Sequence, residues 1–251
     1  MGDQAQARRS IVGAAARLWA SPEHLEVAPN WWIALSGEHG VAYNVAFTQS
    51  GDPAVLSEQC LAPILELGCP ATIMLAGPGL AVAQALADVG WVCVGAPPLM
   101  GLRPPIEPVG RDAAVRELTV DEVPLARELV RETYGLDGAS SSAAVPDHAA
   151  TSPDMAVWGL FDAGRLVSCT TTVLEQGQVV VWSMATAKAS RRRGYGRRLL
   201  LGALAAHFGD GATGSLLHAS TMAEGLYRSL GFETLEHWQT WSRPRWVFGR
   251  A

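Results

Sequence analysis

One stretch, residues 179–209, constrains this chain more than any other: VVVWSMATAKASRRRGYGRRLLLGALAAHFG. A β-branched run typical of a buried strand ends in a polar turn, and two glycines then precede an apolar helix predicted from about 195 to 207. The first turn of a helix has unpaired N–H groups and a partial positive charge. Glycines allow a ligand to approach that backbone, and arginines beside it supply paired donors for phosphate oxygens. The stretch therefore predicts a binding site for a phosphorylated ligand.

The spacing of the glycines indicates which kind of phosphate site this is. A Walker A loop needs a lysine and then a serine or threonine after its second glycine, and both are missing here. A dinucleotide fingerprint, G-x-G-x-x-G, needs a glycine at position 199, which is Leu199. The pattern that fits is Arg or Gln, two residues, Gly, one residue, and Gly or Ala. It is met by Arg191, Gly194 and Gly196.

A second motif follows one predicted helix and one predicted strand later. It has the form SxxAxxLYxxLGF, and its fixed positions are Ser220, Ala223, Leu226, Tyr227, Leu230, Gly231 and Phe232. Together the two motifs resemble the GNAT superfamily of acyl-CoA-dependent N-acyltransferases, and the resemblance covers about 115–241. It implies an α/β fold in which a mostly antiparallel mixed central sheet is flanked by helices.

The resemblance also implies acetyl-CoA as cosubstrate and a set of site residues. The loop and the helix start would bind the coenzyme through Arg191, Arg192, Arg193, Gly194, Tyr195, Gly196 and Arg197. In the family the strand that ends in SMAT is splayed from its neighbour, so backbone groups of Met184, Ala185 and Thr186 would align the pantetheine arm. Ser220 takes a position that is often Asn in the family and touches the same arm. Tyr227 would protonate the departing thiolate.

The implied activity is direct attack of a primary amine on the thioester in a ternary complex, without a metal ion. A lysine-like amine with a pKa near ~10.4 is rarely neutral at pH 7, which costs roughly 4–5 kcal/mol, so a base or a desolvating pocket is expected. Glu175, Glu224 and His218 are candidates for the base, and Trp182 is a candidate wall of the acceptor pocket. The acceptor would be a small molecule or a peptide.

Two other functions fit parts of the same pattern. A non-catalytic acyl-CoA-binding or sensor module would keep the coenzyme loop without acyl transfer. A nucleic-acid-binding protein would use the arginine cluster on phosphates, but the net charge of −5 gives no overall attraction to nucleic acid.

Composition limits the remaining classes of protein. With 49% hydrophobic and 17% charged residues, the 251-residue chain has ample material for a packed core. No apolar run approaches the ~20 residues that a membrane-spanning helix needs, so no membrane partner is expected. The four cysteines form no C-x-x-C pair, which argues against a metal site or a disulfide framework and predicts a cytoplasmic location.

The chain is predicted to contain two tandem copies of one fold. Gly90–Trp91 and Gly231–Phe232 occupy matching places in two strand–helix–strand segments, at an offset of 141 residues. The Pro- and Gly-rich segment 100–112 is predicted to be a linker, which sets domains at 1–110 and 111–251.

The N-terminal copy lacks the residues of the predicted coenzyme site. At the same offset, Pro53 and Val55 stand in place of the two loop glycines, and Leu86 stands in place of the tyrosine. This copy is therefore predicted to bind no CoA, and its expected roles are to support the fold, to shape the acceptor site or to form a homodimer.

Local signals surround the motifs. A helix is predicted to open at Thr119, because Glu122 follows at a capping-box spacing. The Ser-, Ala- and Pro-rich segment 138–154 is predicted to be a loop, followed by three strands in a meander.

Overall fold

The computed structural model describes residues 2–19, 25–37, 40–41, 44–104 and 112–247. The chain divides into two compact units, one of Met1–Leu99 with Thr234–Ala251 and the other of Met100–Glu233. Among the described residues, no helix is both long and apolar enough to cross a membrane.

Within the described residues, the N-terminal part of the chain forms three α-helices and six strands. They are α1 (Gly2–Leu18), β1 (Leu25–Ala28), β2 (Trp31–Leu35), β3 (Asn44–Thr48), α2 (Ala62–Leu67), β4 (Thr72–Leu75), α3 (Ala83–Asp88), β5 (Val92–Gly95) and β6 (Pro98–Leu102). A π-helical segment, Val55–Leu61, precedes α2, and a 3-10 turn, Gly77–Val82, precedes α3.

The C-terminal part adds seven strands and five helices. They are β7 (Val115–Glu117), α4 (Val123–Tyr134), α5 (Gly138–Ala144), β8 (Met155–Asp162), β9 (Arg165–Glu175), β10 (Gln178–Thr186), α6 (Tyr195–Gly209), β11 (Gly214–His218), α7 (Glu224–Ser229), β12 (Glu233–His237), β13 (Gln239–Ser242) and α8 (Pro244–Val247). The predicted capping box is confirmed, because the Thr119 amide donates to Glu122 Oε2 over 3.1 Å at the turn that leads into α4.

Each unit is built on its own mixed sheet. The first sheet has the order β1-β2-β3-β4-β13-β5, and the second has the order β12-β6-β11-β10-β9-β8-β7. The pairs β3–β4 and β10–β11 are parallel, whereas the pairs β2–β3, β4–β13 and β9–β10 are antiparallel. The two sheets confirm the predicted fold of two tandem mixed α/β copies.

The two copies have the same elements at the same spacing in their C-terminal parts. The segments α3, β5 and β6 recur as α7, β12 and β13 at a constant spacing of 141 residues (83 to 224, 92 to 233 and 98 to 239). The last strand of each copy lies in the sheet of the other: β13 lies between β4 and β5, and β6 lies between β11 and β12.

This exchange places the unit boundaries differently from the predicted domains 1–110 and 111–251. The linker predicted at 100–112 begins inside β6, where Met100 and Leu102 are buried in the core of the second unit, and residues 105–111 lie outside the described residues. Local composition could not reveal this, because Pro and Gly beyond Leu102 dominate the segment.

The prediction of a loop at 138–154 is wrong. The segment forms α5 and a 3-10 turn, Asp147–Ala150. Its first turn is capped by Asp137, whose carboxylate accepts the Ser140 amide over 2.7 Å. A capping aspartate before a Ser- and Ala-rich run is a helix start, and it outweighed the turn propensity of the serines.

Candidate functional site

The second unit contains a cleft of about 790 Å³. Four parts of the chain line it: the end of α4, the end of β10, the start of α6, and the segment from His218 to Tyr227 that leads from β11 into α7. Both sequence motifs therefore meet in one cavity. Neither motif could do so by local structure alone, since a strand and a 15-residue helix separate them.

The cleft forms because β10 continues beyond the last of its residues that pair with β11. The parallel ladder joins Gln178–Val181 to Gly214–Leu217 and ends there, while β10 continues to Thr186. The ladder to β9 is interrupted between Trp182 and Ala185, and Ser183 has a φ of +51° in this bulge. The edge of β10 beyond Val181 is thereby turned toward the cleft, as the resemblance implied for Met184 and Thr186.

Three hydrogen bonds from three different elements hold the bulge. Thr170 Oγ1 on β9 donates to the Trp182 carbonyl over 2.9 Å, and Ser183 Oγ donates to the Ala144 carbonyl at the end of α5 over 2.7 Å. Tyr134 Oη at the end of α4 donates to the Met184 carbonyl over 2.6 Å. A non-glycine residue with positive φ is strained, and these bonds over-determine the conformation.

The third predicted residue of this strand, Ala185, has a different environment. Ser168 Oγ on β9 donates to the Ala185 carbonyl over 2.8 Å, and Ala185 is buried. It is not among the described residues that line the cleft. Its contribution is to hold the bulge against β9.

The start of α6 is open to the cleft. Gly194 is the N-cap with φ +80°, no side chain caps the helix, and Arg192 also has a positive φ of +64°. Residues with positive φ that alternate with residues of ordinary φ can turn backbone amides into a concave anion site. A Cβ on Gly196 would lie 3.1 Å from Met184 Cε and 3.5 Å from Thr186 Oγ1, so a glycine there lets the helix start approach β10 closely.

The predicted arginines separate into two groups. Arg191, Arg192 and Arg197 line the cleft. Arg191 Nε donates to the Thr186 carbonyl over 3.3 Å, and Arg197 Nη1 donates to the Ser229 carbonyl over 3.2 Å, which fixes both side chains beside the helix start. Arg193 is exposed and is not among the described residues that line the cleft.

Tyr195 contributes to the site through its backbone. Its side chain is buried in the core with Trp158 and Leu199, and its hydroxyl donates to Asp162 Oδ2 over 2.5 Å. This hydrogen bond to a carboxylate raises the pKa of the Tyr195 phenol. The side chain thus anchors the start of α6 to β8.

Tyr227 and Ser220 lie on the opposite motif. Tyr227 is buried, its ring packs edge-on against Phe232 at 5.8 Å, and its hydroxyl lies 3.6 Å from Met184 Sδ. Burial, with a further contribution from Tyr134, raises the pKa of Tyr227 well above its usual range, so the phenol is protonated at neutral pH. Ser220 lines the cleft, and its carbonyl accepts the amides that start α7.

Of the candidate bases, the structure brings only His218 to the cleft. Burial lowers its pKa from 6.5 to about 4, so the imidazole is neutral at pH 7. Glu224 forms an ion pair with Arg228 at 2.6 Å, and Glu175 ends β9 beside a turn. Within the described ranges, no three His, Cys, Asp or Glu side chains are placed to hold a metal ion.

The burial of His218 predicts a pH-dependent stability. Because the folded-state pKa of about 4 lies below the ordinary 6.5, the unfolded chain binds the proton first as the pH falls. The stability is fully present above pH 6.5 and is lost toward pH 4, by about 3 kcal/mol in the free energy of unfolding. Urea titrations across this range should show the loss in the wild type and a smaller one in His218→Gln. Equal slopes in the two proteins would contradict it.

Sequence reasoning missed Tyr134. It lies 50 residues before Met184, at the end of a helix outside both motifs, and it is nevertheless bonded to the strand bulge. The one sequence signal for Tyr134 is weak. This tyrosine precedes Gly135, a left-handed C-cap that ends α4 at the cleft.

Comparisons with known proteins agree with this geometry. Residues 153–234 match the family described as Acetyltransferase (GNAT) domain. The chain is similar in structure to a GCN5-related N-acetyltransferase from Kribbella flavida, with a TM-score of 0.70 and 22% identity over 95% of each chain. It is also similar to a GCN5-related N-acetyltransferase from Sphaerobacter thermophilus, with a TM-score of 0.62, 15% identity, and coverage of 97% of this chain and 93% of that one. No curated protein matches the sequence.

Proposed function

We propose that this protein transfers the acetyl group of acetyl-CoA to a primary amine by direct attack, since residues 153–234 match the family described as Acetyltransferase (GNAT) domain. One observation carries the proposal. The uncapped, glycine-bounded start of α6 and the buried Tyr227 open into one cleft, on either side of the β10 bulge. One part of that cleft suits a diphosphate, and the other suits a thioester.

The residues present fit the coenzyme. The amides at the start of α6 and the guanidinium groups of Arg191, Arg192 and Arg197 would bind the diphosphate. The cleft-facing edge of β10 at Met184 and Thr186 would align the pantetheine arm, with Ser220 across from it. Arg193, Tyr195 and Ala185 would act indirectly, through the loop charge and through the anchoring of α6 and the bulge.

Tyr227 is the catalytic residue in this proposal. Acetyl-CoA supplies an activated acyl group as a thioester. As the amine forms the new C–N bond and the C–S bond breaks, the Tyr227 hydroxyl gives its proton to sulfur. The surplus proton of the amine leaves to solvent, and the phenolate regains a proton. A raised pKa suits this role, since the phenol stays protonated until the thiolate forms.

We also propose that the first unit is a degenerate copy that binds no coenzyme. There the ladder β3–β4 runs to the strand ends, from Val45–Thr72 to Thr48–Leu75, and the Ala76 amide extends it to the Thr48 carbonyl. The matching strand edge is therefore paired. Leu86, in place of the tyrosine, is fully buried in the core of this unit.

A cytosolic location is proposed on two grounds. Acetyl-CoA is the expected cosubstrate, and Cys60, Cys69, Cys93 and Cys169 are all free thiols, as a reducing compartment would keep them. The amine acceptor would be a small molecule or a peptide.

Binding of acetyl-CoA is the direct test. At 100 times the Kd, the ligand should stabilise the fold by about 2.7 kcal/mol and raise Tm by about 5–10 °C in a thermal-shift titration. Arg191→Ala should weaken the Kd about 10- to 100-fold by removing a charge-assisted hydrogen bond. Arg165→Ala, which removes an exposed arginine at the start of β9, is the matched control and should bind as the wild type does.

The outcomes separate the competing functions. No shift with millimolar acetyl-CoA contradicts the proposal. Normal binding without release of free CoA in the presence of any amine supports the sensor module instead. Binding of nucleic acid that weakens steeply with salt, with indifference to CoA, supports the third function.

A further inference from the structure

Resting on the proposed function, we propose that the acceptor is a monoamine with a flat aromatic group, which packs on the ring of Tyr134 beneath Met222, with its amine directed to Met184 and Tyr227. The inference names the substrate class of the same cleft. It depends on three cleft-lining side chains that come from elements other than α6, namely Tyr134, Trp182 and Met222, and the part of the cleft that they line is called its acceptor side.

Tyr134 is a rigid aromatic surface in the cleft. The residue is 53% exposed, although its hydroxyl is held by the 2.6 Å bond to the Met184 carbonyl. Desolvation of that hydroxyl raises the pKa of Tyr134 to about 12, so the bond is made by the neutral phenol. An exposed tyrosine normally samples several rotamers, but one pinned at its tip presents a fixed face, and this lowers the entropy cost of stacking a ligand.

Met222 faces the same cleft from the segment between β11 and α7. It is 79% exposed, the highest value among the large hydrophobic side chains described. Thioether groups adapt to aromatic surfaces and attract them. Two large exposed apolar side chains on different elements, both lining one cavity, indicate a ligand with an apolar body.

The bulge completes the same side of the cleft. Trp182 lines it, and the bonds from Thr170 and Ser183 fix the backbone that presents this indole. A ligand ring on Tyr134 would therefore meet a phenol and a strand backbone that are held in place before it binds. Such preorganisation favours a rigid, flat group over a flexible chain.

The inner end of the cleft favours an uncharged amine. Tyr227 and His218 both line it; the phenol is neutral at pH 7, and desolvation lowers the pKa of His218 to about 4, so the imidazole is neutral there as well. The charged side chains among the described lining residues are Arg191, Arg192 and Arg197, which the diphosphate would engage. A monoamine becomes uncharged when it loses a single proton on entering the cleft. A polyamine must also bring further ammonium groups into the same desolvated space.

The experiment compares amines at saturating acetyl-CoA by following free CoA. The panel is 2-phenylethylamine, n-butylamine and spermidine. We expect kcat/KM for 2-phenylethylamine to exceed that for each of the others at least tenfold. Tyr134→Ala and Tyr134→Phe both lose the hydrogen bond to the Met184 carbonyl, but only the alanine variant loses the ring, so KM for 2-phenylethylamine should be about tenfold higher in Tyr134→Ala than in the wild type and clearly above that of Tyr134→Phe.

Two further variants make the result specific. Tyr134→Phe keeps the ring but loses the hydrogen bond that holds it. The KM of this variant for 2-phenylethylamine should therefore lie between those of the wild type and Tyr134→Ala. Leu125→Ala removes an equally exposed side chain from the same helix outside the cleft and should leave KM unchanged.

The outcomes separate this inference from the proposed function. Acetylation of spermidine as efficient as that of 2-phenylethylamine, or an unchanged KM in Tyr134→Ala, overturns the inference while the acetyltransferase function stands. Absence of acetyl-CoA binding overturns both.

Discussion

Tyr227→Phe is expected to lower kcat about 100-fold or more while the Kd of acetyl-CoA stays within about threefold, because a positioned general acid contributes typically 10²–10⁴ to the rate. The hydroxyl lies at the cleft side of a buried ring whose packing on Phe232 a phenylalanine would retain. Steady-state CoA release and calorimetric titration with acetyl-CoA measure the two quantities separately.

A matched control removes a hydroxyl elsewhere in the same unit. Thr213 Oγ1 donates to the Gly177 carbonyl at the turn between β9 and β10, and Thr213→Val should leave kcat unchanged. A Tyr227→Phe enzyme with kcat within twofold of the wild type would show that the departing thiolate takes its proton elsewhere. It would leave acetyl-CoA binding intact as a property of the cleft.

The second large effect concerns folding. A fragment of residues 111–251 is expected to lack a cooperative unfolding transition, because it lacks β6. That strand lies between β11 and β12 in the second sheet, and it contributes Met100 and Leu102 to the core. Deleting one large buried side chain costs about 2–5 kcal/mol, and the net stability of a domain is about 5–15 kcal/mol.

A fragment of residues 97–237 is the matched comparison. It retains β6 and every other strand of the second sheet, and it omits β13, which belongs to the first. Urea denaturation followed by circular dichroism should give a sigmoidal transition for 97–237 and a broad, gradual change for 111–251. Equally sharp transitions in the two fragments would show that β6 is dispensable.

Local sequence patterns were sufficient to predict most helices and strands of the second unit. The start of α6 after Gly194 and the capping box at Thr119 follow from short-range chemistry, since glycine geometry and helix capping act within four residues. The loop prediction for 138–154 failed for a related reason, since the cap at Asp137 lies just outside the segment whose composition suggested a loop.

The acceptor side of the cleft could not be predicted in the same way. Tyr134, Ser183 and Ala144 come together at the β10 bulge because the sheet and two helices bring them there, and neither the glycine motif nor the tyrosine motif includes any of them. The positive φ of Ser183 also has no sequence signal, because serine gives no preference for that conformation.

By itself, the sequence determined the glycine-bounded start of α6, the motif that contains Tyr227 and the existence of two related halves, because each is recognised from short segments of the chain. The tertiary structure alone decided that the last strand of each half lies in the other's sheet, and that β10 parts from β11 beyond Val181. Strand pairing and the shape of a cavity are settled by competition among distant segments for the same backbone partners and the same buried volume. A local sequence pattern therefore does not predict the outcome of that competition.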